Sequence, residues 1–199
     1  MFTKIVIIIF LFISFSFANA LQSISKIKTI KLYFLQTNYL PFNKNPDSVY
    51  LGVFIFKKPN KFFIKYLEDD KGNLIKDHLK SNGKYVEIYI SENNETKYGY
   101  YKDLISYFPF SYIFSKDINK YFKIKQKKNY IYLFPKFQAE YNLIIIRTTS
   151  NSKFPIKYIL IEYPDKRKTY FFIKKVEKIN FYIPDKFFGI KISKSNLEK

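Results

Sequence analysis

Aromatic residues crowd this chain while small ones are nearly missing, and that imbalance restricts how it can fold more than any other feature. Phe and Tyr number 23 and 19 in 199 residues, Trp is absent, Gly totals 5, and alanine occurs only at Ala18, Ala20 and Ala139. A helical bundle is poorly served by such a composition, whereas aromatic and β-branched side chains fit the pleated surface of a sheet. The hydrophobic fraction of 47% is that of a folded globular chain. A mainly β fold is expected.

The same composition removes whole classes of chemistry. Cysteine is absent, which excludes disulfides, thiolate metal sites, cysteine nucleophiles and a lipid anchor on cysteine. His78 is the single histidine, so a zinc centre lacks ligands and a Ser-His-Asp triad would have to pass through that residue. His78 itself reads as an exposed loop residue, and Asp69-Asp70 as a turn signal rather than a catalytic pair. No catalytic residue, metal ligand or cofactor is expected. The net charge of +19 invites a nucleic-acid reading. Against it, the basic residues are almost all Lys, with arginine only at positions 147 and 167, and Arg is the usual forked donor to phosphate and guanine. The lysines are also scattered, as a codon bias towards Lys, Asn, Ile, Phe and Tyr would scatter them. The expected partners include no nucleic acid.

Residues 1–20 read as a secretory signal peptide. Lys4 supplies the positive start, Ile5 to Phe17 an apolar run, and Ala18-Asn19-Ala20 a small-x-small cleavage site. The run is shorter than the roughly 20 residues that span a bilayer. Residues 21–199 then form one domain. Leu21, Ile24, Ile27 and Ile30 recur at the spacing of a short helix, and Leu32 and Phe34 switch the period to two. Pro41 and Pro46 mark a loop. Tyr50 to Lys57 is apolar on both parities, as for a strand with core on one face and something else on the other. Phe62, Ile64 and Tyr66 alternate with Lys61 and Lys65; Val86, Ile88 and Ile90 alternate with Tyr85, Glu87 and Tyr89. Asp103 to Ser115, interrupted by Pro109, is the later stretch that resembles a helix. Phe122 to Phe134 reads as a hairpin. Leu143–Thr149, Ile156–Tyr163, Lys168–Val176 and Ile179–Ile183 read as further strands, with a turn at Pro164 to Arg167. Nine to eleven strands in an antiparallel meander would curl into a barrel or half-barrel.

Five short motifs, in order, carry a resemblance. They are Phe34-Leu35-Gln36; Gly52, Phe54 and Phe56 running into Lys57-Lys58-Pro59-Asn60-Lys61-Phe62; Ser81-Asn82-Gly83-Lys84 ahead of Val86-Glu87-Ile88-Tyr89; Phe108-Pro109-Phe110; and Phe181-Tyr182-Ile183-Pro184. In this order, behind a signal sequence, they resemble the LolA-type periplasmic lipoprotein carriers over nearly all of residues 21–199. The chain departs from that pattern where Lys58 replaces an Arg and Ile64 a Trp, in a first helix about a turn shorter that begins near Leu21, in an insertion around Lys71 to Asp77, and in one extra residue within Asp185 to Gly189.

The resemblance implies an unclosed, curved antiparallel half-barrel with short helices as a lid over an apolar concave face. It implies an acyl-chain pocket lined by Phe54, Phe56, Phe62, Ile64, Tyr66, Val86 and Ile88, with Phe62 at the rim where partner proteins make contact. Lys58, Phe110 and Ile113 fall on lid positions, Lys58 as the hydrogen-bonding latch. The implied protein is a non-enzymatic, monomeric carrier in the periplasm. Its cargo would be acylated lipoproteins, taken from an inner-membrane release complex and handed to an outer-membrane acceptor. A carrier or sensor for another lipid or glycolipid on the same fold stays open, as does a basic protein binding anionic lipid or polyanion at its surface. The acylated receptor of the same superfamily is excluded, because no cysteine is present to carry the lipid.

Overall fold

The computed structural model describes residues 20–104, 109–115, 117–150 and 153–192. The signal sequence expected over 1–20 lies outside them except for Ala20. Residues 20–26 form helix α1. The strands are β1 (Thr29–Tyr39), β2 (Ser48–Lys57), β3 (Lys61–Asp69), β4 (His78–Asn82), β5 (Tyr85–Ile90) and β6 (Glu95–Tyr100), then β7 (Phe122–Lys127), β8 (Tyr130–Pro135), β9 (Leu143–Thr148), β10 (Ile156–Glu162) and β11 (Lys168–Ile179). Short helices α2 (Tyr101–Leu104), α3 (Phe110–Ile113) and α4 (Ile118–Tyr121) lie between β6 and β7, and a 3-10 turn covers Asp185–Phe188.

All eleven strands belong to one antiparallel sheet in the order β6-β5-β4-β3-β2-β1-β11-β10-β9-β8-β7. Two meanders are thus joined by pairing the first strand with the last, and β6 and β7 are left as opposite, unpaired edges. The β1–β11 ladder carries irregularities at Lys31/Leu32 and Tyr33/Phe34; such bulges bend a sheet. Gly52 sits opposite Phe34, and a β-carbon there would come within 2.4 Å of the Phe34 ring. Glycine at this position lets the ring lie flat across β2.

The core occupies one face of the curved sheet. Ile24 from α1, Ile27 just after it, and Tyr101, Phe110, Ile113, Phe114 and Ile118 from the segment between β6 and β7, join the inward-facing strand residues in a single cluster. Topology explains their position. The chain leaves the sheet at one edge and re-enters at the other, so 101–121 has to cross between edges, and among its described residues these five are buried where it crosses. This is the expected half-barrel with helices over the concave face.

Three local readings change. Ile30 completes the helical spacing in sequence but lies in β1; the Asn180 side chain accepts from the Lys28 backbone N–H at 2.7 Å, and the Asn180 N–H donates to the Thr29 carbonyl at 2.8 Å, fixing extended chain from Thr29 onward. His78 opens β4 instead of lying in a loop, half-buried between Phe63 and Tyr89 and 3.2 Å from Glu87. Residues 179–183 do not form a separate strand: β11 runs on to Ile179, and Asn180, at φ 53°, ends it.

Candidate functional site

Strand alternation directs Phe54 and Phe56 of β2, Phe62 and Ile64 of β3, and Val86 of β5 into the concave core, where each is at most 3% exposed. Tyr66 and Ile88 pack against the same cluster while only partly buried. The seven residues expected to line a pocket therefore share one face. They do not share one cavity. Phe54 and Ile64 line the internal space, together with Leu32 and Phe34 of β1, Phe110 and Phe114, Phe154, Ile156 and Ile159, and Phe171 and Ile173 of β11. Phe62 is a core residue against the Tyr101 ring, with centroids 6.4 Å apart, and not a rim residue.

The cavity is nearly full. Its free volume is about 10 Å³, room for a water molecule at most. The filling comes from α3 and the residue after it. The Phe110 ring stands edge-on to Phe171 at 5.0 Å and tilts over Phe54 at 5.5 Å. Phe114 stacks on Phe56 at 4.8 Å and on Phe54 at 6.4 Å. Ile113 beside them is 1% exposed. The two lid positions read from sequence, Phe110 and Ile113, are thus inserted into the concave face, with Phe114 as a third member that the sequence did not single out.

Lys58 fastens the other helix: its Nζ donates to the Ser25 carbonyl in α1. That end of the half-barrel is closely tied. Lys57 Nζ donates to the Ile183 carbonyl and to Asp185, both at 2.7 Å, and Lys61 Nζ lies 2.9 Å from the second Asp185 oxygen. Hydrogen bonds from these two ammoniums hold the Asp185 carboxyl below the usual carboxylate range. Ser81 Oγ donates to the Asn60 carbonyl and accepts from the Gly83 N–H, while Asn82 Oδ1 accepts from the N–H groups of Lys84 and Tyr85. Gly83, at φ +94°, adopts a backbone few other residues reach.

Further along the same strands the concave face turns polar. Tyr66 Oη donates to Gln36 Oε1 at 2.7 Å, and Gln36 Nε2 donates to Asn38 Oδ1 at 3.1 Å. Asn38 Oδ1 also accepts from Thr169, and Asn38 Nδ2 donates to Ser48. Burial pushes the Tyr66 phenol up, so it stays neutral. A surface groove of about 500 Å³ opens here, lined by Gln36, Asn38, Ser48, Glu140, Arg167 and Thr169 among others. Of this network the sequence pointed only to Tyr66 and, through Phe34-Leu35-Gln36, to Gln36.

No family model and no curated protein matches the chain. Among solved structures, a DUF1329 family protein from Desulfovibrio piger has a TM-score of 0.51 at 9% identity, over 89% of this chain and 97% of that one. A LolA superfamily protein from Nitrosomonas europaea reaches 0.49 at 9% identity, over 86% and 96% of the two chains. A domain from Vibrio parahaemolyticus, named for outer membrane lipoprotein sorting, reaches 0.46 at 8%, over 86% and 94%. The unclosed sheet, the helices across its concave face and the order of the motifs agree with one another. The fold, an unclosed half-barrel, is shared with the DUF1329 family protein. At these identities the likeness concerns the fold alone. What the half-barrel offers here is a nearly filled apolar interior and, further along the same strands, a polar groove.

Proposed function

We propose that this protein is a non-enzymatic periplasmic carrier that shields the acyl chains of lipoproteins and delivers them from the inner to the outer membrane. The observation that carries the reading is the aromatic plug: Phe110 and Phe114 fill an apolar concave face that no strand covers. A core built only for stability has no need to take its filling from a four-residue helix. A carrier does, because its interior must be filled by its own side chains when empty and cleared of them when loaded. Each methylene taken out of water contributes roughly 0.8 kcal/mol, and stiff apolar walls without directional bonds let a competing site take the chains back. With α3 withdrawn, acyl chains would lie against Phe54, Ile64 and Phe171, and the polar linkage that joins them to the cargo would reach the Gln36–Asn38 end.

The test is affinity capture of the exported protein from periplasm, with mass spectrometry of what accompanies it. Intact triacylated lipoproteins are expected, and they should be missing from the Ile64→Glu variant, since an ionised carboxylate beside an acyl chain is costly. Recovery of free lipid or glycolipid alone would keep the pocket and change the cargo. Lipoproteins carried equally by folded Ile64→Glu would overturn the assignment of the pocket.

A further inference from the structure

The outer, convex face of the wing made by β7, β8 and β9 carries positive charge that nothing on it balances. These three strands contain no acidic residue, while β7 contributes Lys123, Lys125 and Lys127, with Lys128 in the turn that follows. Phe122 is buried in the core and Ile124 packs against it, so alternation sends the three β7 lysines to the opposite face at intervals of about 6.8 Å. Each is exposed, and among the described residues none of the three forms an ion pair.

A second row lies alongside the first. Across the ladder Lys123, Lys125 and Lys127 face Phe134, Tyr132 and Tyr130. Lys125 Nζ sits 5.5 Å from the centre of the Phe134 ring. Arg147, opposite Tyr130 in the next pair, donates to the Tyr130 hydroxyl and lies over its ring at 5.1 Å. Ammonium groups standing beside half-buried Tyr and Phe match a surface that is anionic outside and apolar just beneath. A bilayer containing acidic lipids has that profile: its headgroups attract lysines, and its interfacial layer accepts amphipathic rings. Single-stranded nucleic acid fits less well. The Tyr130 and Phe134 rings already have cations against them where bases would stack, and the ammoniums lack the guanidinium fork. We infer that the outer face of β7–β9 docks this protein on anionic bilayers, whatever its concave face holds.

The experiment is co-sedimentation of the purified protein with vesicles of equal parts phosphatidylcholine and phosphatidylglycerol, and with phosphatidylcholine alone. Binding is expected to the mixed vesicles only, weakening steeply as salt rises. Lys123→Gln, Lys125→Gln and Lys127→Gln should each lower partitioning about fivefold, equivalent to about 1 kcal/mol per lysine near a charged surface, and the β7 triple variant that combines them should lower it further. All three side chains are exposed, so the variants should retain the fold, which circular dichroism checks. A triple variant of Lys71, Lys76 and Lys84 to Gln removes the same charge from turns of the other wing and should bind nearly as the unaltered protein does. Equal losses in the two triple variants would assign binding to net charge and overturn the docking face. So would undiminished binding of the β7 triple variant, equal binding to phosphatidylcholine alone, or retention of a single-stranded oligonucleotide with no retention of vesicles.

Discussion

Lys58 presents one ammonium where the resembling family presents a guanidinium, and its contact is with the Ser25 carbonyl of α1. A charge-assisted hydrogen bond contributes about 1.5–3 kcal/mol at best, and less when solvent reaches it. Lys58→Leu keeps bulk and removes the donor. If 1.4 kcal/mol of closure is lost, the open population rises about tenfold relative to the closed one. An acyl probe should then bind up to about tenfold more tightly to Lys58→Leu, read by fluorescence titration, and its transfer to acceptor vesicles should slow. Lys58→Arg should retain the contact and leave affinity near or below that of the unaltered protein. Identical affinities in all three forms would reduce Lys58 to a turn residue. Asp185 makes the other single-residue clasp. Its carboxyl titrates below the ordinary aspartate value, so its contribution is present above about pH 4 and is lost as pH falls through the lower folded value. Asp185→Asn should therefore flatten the acid limb of a thermal-midpoint profile while changing little at low pH, where Asp185 is already protonated.

Among the elements, α3 is the one that carries the plug. It has four residues, far below the length at which a helix is stable alone, so its position depends on Phe110, Ile113 and Phe114 being buried. Truncating a buried Phe to Ala costs about 3–5 kcal/mol. Phe114→Ala should lose stability of that order in a denaturant titration and yet bind an acyl probe more tightly, because part of the plug is gone. Phe188→Ala is the control: equally buried, but on the 3-10 turn that packs on β3 and β4, it should lose stability without gaining affinity. The brevity of α3 also explains what the sequence could not convey. Asp103 to Ser115 read as one interrupted helix, and a single turn leaves no periodicity to identify Phe114 as inward. Phe34, Phe171 and Ile173 line the cavity because β1 pairs with β11, a register no local pattern encodes. By contrast the turn motifs were legible because their chemistry is local. Ser81 fastens Asn60, and Thr29 and Lys57 fasten Phe181 and Ile183, so the resemblance of these motifs to a family preserves structural clamps as much as a ligand site.

For the molecule as a whole, charge and apolar burial should separate cleanly with ionic strength. The net charge of +19 acts at the surface and is screened within about 8 Å at physiological salt; acyl chains inside the half-barrel feel no such screening. Loading measured with an acyl probe is expected to stay nearly constant from dilute to physiological salt, while sedimentation with anionic vesicles falls steeply over the same range in the same preparation. Loading that falls in parallel would mean that cargo is held through charge.

The crossing of 101–121 from one sheet edge to the other makes the half-barrel a bow with a string. Spreading the two limbs tightens the string, and the string carries the stopper, so widening the mouth and drawing out Phe110 and Phe114 become one mechanical movement. In the proposed carrier, acyl chains prying the limbs apart would uncork the interior by the same act.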